Sequence, residues 1–316
     1  MKLAFIKCHG SGNDFPLIDA RAATCSDAEW AGAARALADR QGPVGGDGLL
    51  LLTEGDGDHA FGMRMFNSDG SEAETCLNGL RCVARLGFEL LGVDQARVRL
   101  KTSSADVARE APLAPGVTTV RTRVGPASLA PADVGLKIDA DRVIEALVPG
   151  LPSGRKFTAV AIPNPHLVTF VDAIDEAELV TLGEWCEGGP ALIPGRANVS
   201  FVEPRGEDLY VRTFERGVGL TDSCGSAMAS SVFAAGLTGR VPFGRQVRVL
   251  NRGGMVLGLA QPPEAGGAVT ISGNASFLYD ATIELDPATG TASAPAVHAR
   301  REDEAAAWND LVEAIR

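Results

Sequence analysis

Two stretches of the chain share one order of polar and apolar positions. In RMFNSDGSEAETC, residues 64 to 76, and RTFERGVGLTDSC, residues 212 to 224, an alternating segment ends on Arg-x-Phe, a polar glycine-containing run follows, and a cysteine closes it at the same spacing. Alternation with period 2 predicts a strand ending at Phe66 or Phe214, and the Asn, Asp, Gly and Ser that follow predict a loop. After each cysteine the apolar period changes to about 3.6, through Leu80, Val83, Ala84, Gly87 and Leu90 in one case and Met228, Val232, Ala235 and Leu237 in the other. Each loop thus delivers a cysteine to the start of a helix. Upstream, HGSGNDF and IPNPHLVTF sit at similar offsets and read as turns feeding apolar strands. The pattern predicts a duplicated chain. Halves related by a pseudo-twofold would let equivalent helix N-termini face each other, with Cys76 and Cys224 flanking one site. A chance match between two common strand-loop-helix units is the alternative.

A chain of 316 residues holds two ordinary domains. The boundary is expected in the Pro/Gly/Ala-rich run from 112 to 135, with a second such cluster at 148 to 154. The expected division is 1–125 and 126–276, with 277–288 returning to the first half. Residues 289–316 then form an extension, a linker followed by a short helix that carries Trp308, Leu311, Val312 and Ile315 on one face. Such a tail is read as a surface helix or a disordered end rather than a partner site.

Composition narrows the classes of function. A net charge of −11 with no block of Lys or Arg lacks the footprint of a nucleic-acid or anionic-membrane binder. The first residues have no apolar core of a signal peptide, and no window is apolar and long enough to span a bilayer, so a cytoplasmic protein is expected. The six cysteines are too sparse for a disulfide scaffold, and neither their spacing nor the four scattered histidines match a structural zinc site. No metal is expected. A homodimer is an open expectation, since nothing in the sequence fixes the oligomeric state.

A cysteine at a helix N-terminus meets the helix dipole and unpaired N–H groups, which favour thiolate; a buried structural thiol is the plainer reading. Two opposed thiols permit one to remove a proton from one face of a carbon while the other returns a proton to the opposite face. The outcome is inversion. The developing carbanion, spread into an adjacent carboxylate, needs preorganised donors, and the N–H groups of Leu77, Asn78, Gly225 and Ser226 are candidates, each such donor being worth roughly 3 kcal/mol. His166, after Asn-Pro, is either a turn residue or a group that orients a thiol. A pyridoxal phosphate route would call for a Schiff-base lysine and a phosphate-binding loop; with few lysines and no such loop, the expected cofactor is none.

With these residues in view, the chain resembles the diaminopimelate epimerase family up to about residue 286. The matching motifs are GNDF at 12–15, FNSDGSEAETC at 66–76 with Asn78 and Gly79 following, NPH at 164–166, RAN at 196–198, and ERG at 215–217 before CGS at 224–226. The resemblance implies an α/β fold of the α+β type. Its two similar, pseudo-twofold-related domains are each a curved, mostly antiparallel sheet around a central helix, with the active site between them. It also implies cofactor-free interconversion of LL- and meso-diaminopimelate in lysine and peptidoglycan precursor biosynthesis, with Cys76 and Cys224 as base and acid. Asn67, Asn164, Asn198 and Arg216 then hold the distal carboxylate, Glu215 assists at an amino group, and Asn13 lines the cleft. Fixed amides and a guanidinium suit that task, because they present directional donors to a carboxylate. Taken singly, each Asn is equally a turn former that satisfies nearby backbone.

Three positions depart from the family pattern. Leu77 stands where glycine follows the first cysteine, Leu220 where glutamate occurs, and Ala227 where glycine occurs in the second motif. They leave open a racemase for another amino acid, such as histidine or lysine, or a non-catalytic amino-acid-binding relative.

Overall fold

A computed structural model describes residues 1–315. The chain runs β1 (Lys2–Gly10), β2 (Asn13–Asp19), α1 (Asp27–Ala38), β3 (Gly48–Glu54), β4 (Phe61–Asn67), α2 (Leu77–Leu91), β5 (Gln95–Arg99), β6 (Ser104–Glu110) and β7 (Thr119–Val124). It continues through α3 (Pro131–Val134), β8 (Thr158–Ile162), β9 (Asn164–Phe170), α4 (Glu176–Glu187), β10 (Asn198–Arg205), β11 (Asp208–Glu215), β12 (Gly219–Thr221) and α5 (Gly225–Leu237). Then come β13 (Val247–Asn251), β14 (Gly254–Ala260), β15 (Val269–Asn274), β16 (Ser276–Asp286), β17 (Thr291–Ala292), β18 (Ala296–Arg300) and α6 (Glu302–Ala314). Contacts group the chain into one unit of residues 1–122 and 272–316 and another of residues 123–271. No helix among the described residues is long and apolar enough to cross a membrane.

The units repeat one topology. In the first, β2 pairs antiparallel with β1 and parallel with β3, β3 pairs antiparallel with β4, β4 parallel with β5, and β5 antiparallel with β6. In the second, β8, β9, β10, β11, β13 and β14 follow the same alternation. Even the register corresponds: Leu49 lies opposite Phe66, as Val199 lies opposite Phe214. A parallel pair needs a crossover rather than a hairpin, and α1, α2, α4 and α5 supply the four crossovers. Capping fixes where the outer helices begin. Ser26 and Glu29 form a reciprocal capping box on α1, and Asp175 accepts from the N–H groups of Ala177 and Glu178 on α4.

The helices that follow the two cysteines are the cores of their units. Every residue of α2 from Leu77 to Phe88 is buried, as is every residue of α5 from Gly225 to Ala235. The apolar period foreseen through Leu90 therefore understates the burial of α2 up to Phe88 and runs on past the buried stretch, into the exposed last turn where Leu90 is 44 % exposed. Gly87 is required where α2 crosses β4, since a Cβ there would lie 2.5 Å from the Phe61 ring. Wrapped on all sides, α2 also carries buried polar residues: Asn78, Arg81 and Arg85.

The C-terminal extension departs from the expected linker. Residues 291–300 add β17 and β18, the latter pairing with β16, whose other edge pairs with β1. The expected helical face forms, with Trp308 buried and Leu311, Val312 and Ile315 half-buried. Arg316, the last residue of the extension, lies outside the described residues. Strand pairing here turns on which edge of β16 is open, and a Pro/Ala/Thr-rich sequence does not reveal that.

Candidate active site

Each repeated loop ends with its cysteine at an N-cap. Cys76 caps α2 with extended backbone, and its Sγ accepts from the Gly79 N–H at 3.4 Å. Cys224 caps α5 in the same extended conformation. The two motifs thus build matching cysteine-capped helix starts, one in each unit.

In the first unit the Cys76 thiol also donates to Asn13 Oδ1 at 3.7 Å. The Asn13 amide nitrogen bonds to Asp47, which leaves the amide oxygen turned to the sulfur. Asp47 itself is held by Arg40 and accepts from the Asp14 N–H at 2.9 Å. Leu77 opens α2, is 3 % exposed and has no positive φ, so the leucine at this glycine position carries no backbone strain. Asn78 turns its side chain inward and accepts from Arg81 at 3.0 Å. Asn67 donates to Ser71 Oγ at 3.0 Å inside its own turn.

In the second unit the Cys224 sulfur lies 3.4 Å from Ser226 Oγ, which lies 3.1 Å from His166 Nε2. His166 is fully buried, and its Nε2 also lies 3.2 Å from Asn164 Oδ1 and 3.4 Å from Asn198 Nδ2. The ring nitrogen thus meets Asn164, Asn198 and the Ser226 hydroxyl, and that hydroxyl is also within reach of the sulfur. Burial, with the Arg216 charge, lowers the His166 pKa to about 3, so the ring is neutral. It contacts Ser226 and is not poised as a base.

Asn198 uses its amide inside the protein. Its Oδ1 accepts from the Arg216 N–H at 2.9 Å and its Nδ2 donates to the Pro165 carbonyl at 3.0 Å. Arg216 is half-buried and donates to the Gly195 carbonyl at 3.3 Å. Glu215 accepts from Thr221 Oγ1 at 2.6 Å.

The expected acidity of Cys224 is not what the structure supports. Burial pushes this thiol well above its ordinary pKa, and the Glu215 charge and hydrogen bond push the same way. The Ser226 hydroxyl and the Ala227 N–H oppose them without prevailing. The helix N-terminus does favour thiolate, but desolvation of a buried sulfur outweighs it. Cys224 is a thiol at neutral pH. Leu220, the second departure from the family pattern, is 37 % exposed, and Ala227, the third, is fully buried in the first turn of α5.

The diaminopimelate epimerase family model matches residues 5–127 and 158–275, which together span all of the residues above. The chain belongs to the diaminopimelate epimerase family. It is 37 % identical over 290 residues to the diaminopimelate epimerase of Clostridium acetobutylicum, covering 90 % of this chain and 87 % of the relative. Against that of Lactiplantibacillus plantarum it is 36 % identical over 327 residues, covering 99 % and 98 %. Its activity is accordingly that of an epimerase, an isomerase. Two solved structures share the fold. A hydroxyproline epimerase from Agrobacterium vitis has a TM-score of 0.65 at 14 % identity, over 99 % of this chain and 98 % of that one. A phenazine biosynthesis protein of the PhzF family from Bacillus anthracis has 0.64 at 12 %, over 90 % and 100 %.

Several residues packed around these side chains carry little signal of their own in the sequence. Asp47 and Asn274 reach Asn13 and its turn only through tertiary contacts, whereas His9 and Ser11 lie in the HGSGNDF turn itself without announcing what they hold. Arg81 had a signal within its helix, a charge on the 3.6-residue stripe's flank, but one indistinguishable from a solvated position.

Proposed function

We propose that this epimerase interconverts LL- and meso-diaminopimelate without a cofactor, in lysine and peptidoglycan precursor biosynthesis, by proton transfer between Cys76 and Cys224 on opposite faces of the substrate Cα. The observation that carries the reading is that both cysteines occupy the N-cap of the buried helix of a duplicated unit. Cys76, contacted by the Gly79 N–H, abstracts the Cα proton as thiolate, and the electron pair left on Cα takes a proton on the opposite face from Cys224, which rests as a thiol, enclosed and beside Glu215; the roles exchange for the reverse reaction. The first N–H groups of α2 and α5 stabilise charge that develops on the α-carboxylate, at roughly 3 kcal/mol for each donor.

The distal carboxylate falls to Arg216, with Asn67 and Asn164 as amide donors. Asn198 acts by fixing the Arg216 backbone. Glu215 meets an amino group of the substrate. A substrate without a distal carboxylate leaves these groups unpaired, a penalty of roughly 1 to 3 kcal/mol each.

The test is a panel without added cofactor: LL-diaminopimelate, lysine, histidine, glutamate and ornithine. Diaminopimelate should exceed the others by at least about a hundredfold in kcat/KM. Equal or better turnover of lysine or histidine would identify a different racemase, and binding without turnover across the panel would identify a non-catalytic relative.

A further inference from the structure

The chain beyond residue 275 lies outside the matched family residues, yet it is fastened to the half-site that holds Cys76. From this arrangement we infer that α6 is a positioning element for Cys76: Trp308 holds His9, His9 holds the turn at Ser11 and Gly12, and Asn13 beyond that turn orients the thiol. This rests on the proposed role of Cys76.

Trp308 is the one residue of α6 that is buried, and it packs on the His9 ring with centroids 5.8 Å apart and planes at 60°. His9 Nδ1 lies 3.3 Å from the Gly12 N–H and 3.3 Å from Asn274 Nδ2. Both are donors, so Nδ1 accepts, the proton sits on Nε2 and the ring is neutral. Burial, which lowers its pKa to about 4, agrees with that state. The turn it holds is otherwise unfavourable, because Ser11 has φ 52° and Gly12 φ 81°, and a serine in the left-handed region persists only where its surroundings fix it. They do so here. The Ser11 N–H donates to Asn274 Oδ1 at 2.7 Å and Arg81 donates to Ser11 Oγ at 3.0 Å.

The helix has its own anchors. Glu304 accepts from Arg85 Nη2 at 2.9 Å and from the Phe277 N–H at 3.2 Å, and Arg301 pairs with Asp280 at 3.0 Å. Burial pushes the Glu304 carboxyl up, but the hydrogen bonds and charge of Arg85 bring it below the usual range, so the anchor is ionised. Fastened there, α6 places its one buried aromatic on the imidazole that braces the Asn13 turn. A helix serving stability alone could bury a tryptophan anywhere along β16.

The experiment compares the full chain with Trp308→Ala, Trp308→Leu and the conservative Trp308→Phe. Iodoacetamide labelling, resolved by peptide mass, reads Cys76 against Cys224 without any substrate, and kinetics with LL-diaminopimelate give kcat and KM separately. For the folded alanine variant, kcat should fall about tenfold with KM within about twofold, since small misplacements of a reacting group act on the chemical step. Cys76 labelling should change by about threefold or more as its Asn13 contact loosens, Cys224 labelling should stay as in the parent, and phenylalanine should restore most of both. If the alanine variant does not fold, the leucine variant decides on the same criteria. A lowered Tm with parental kcat and parental Cys76 labelling would overturn the inference and leave α6 a stabilising strap. If Cys76 labelling responds while the parent protein does not epimerise diaminopimelate, the positioning role stands and the proposed substrate fails.

Discussion

Removing the Asn198 side chain strips two backbone groups of their partners at once. The Arg216 N–H loses its acceptor at 2.9 Å and the Pro165 carbonyl loses its donor at 3.0 Å, at a residue only 2 % exposed. Each buried group left unpaired costs roughly 1 to 3 kcal/mol, and relaxation toward solvent recovers part of that, so Asn198→Ala should destabilise the second unit by about 2 to 4 kcal/mol. The functional consequence follows from the same geometry, because the amide that is lost sets the position of Arg216. KM for diaminopimelate should rise about tenfold, equivalent to about 1.4 kcal/mol, with a smaller change in kcat. Asn198→Asp separates the two bonds: it can still accept from Arg216, but it turns an acceptor toward the Pro165 carbonyl. It should be at least as unstable as the alanine variant at neutral pH and regain stability as the new carboxyl protonates. Urea unfolding followed by tryptophan fluorescence, with steady-state kinetics on the same preparations, reads both effects. Stability within about 0.5 kcal/mol of the parent, together with an unchanged KM, would refute the reasoning, since surface changes stay within that range.

Three further outcomes are expected. Both buried histidines bind protons more weakly folded than unfolded, at about 4 for His9 and about 3 for His166, so stability is full above about pH 6.5 and is lost as pH falls through these values. His9 alone accounts for on the order of 3 kcal/mol. Urea midpoints between pH 7 and pH 4 should therefore drop less steeply in His9→Asn than in the parent. Leu77→Gly, which restores the family residue, should cost about 2 to 4 kcal/mol from lost burial and helix propensity, because Leu77 already has a helical backbone; an equally stable variant would contradict that. Glu215→Gln should lower the pH at which Cys224 becomes alkylated, since the Glu215 charge holds the thiol protonated, and an unmoved profile would leave burial as the sole cause.

What could be read from the sequence was local. The period changes at Phe66 and Cys76, and again at Phe214 and Cys224, mark strand, loop and helix because side-chain alternation and helical repeat are written directly in the order of residues. The repeat of that order foretold two units of one topology. Acidity at Cys224 was misjudged for a physical reason: the helix terminus is a local effect, whereas burial and the approach of Glu215 are tertiary and stronger. The amide of Asn198 looked equally able to face a ligand or the backbone, and only the folded position of Arg216 shows the backbone contact. Similarly, the contacts of His9 with Asn274 and Trp308 join residues more than 250 positions apart, where no periodicity connects them.

The paired roles of the cysteines are tested most directly by Cα hydrogen exchange in deuterated water, followed by stereochemical analysis of the recovered substrate. With the parent protein, LL-diaminopimelate should acquire deuterium and convert to the meso form. With Cys76→Ala or Cys224→Ala, epimerisation should fall at least about a hundredfold, while the remaining thiol exchanges the Cα proton of one stereoisomer without inverting it. Undiminished inversion by either variant would contradict the two-cysteine account.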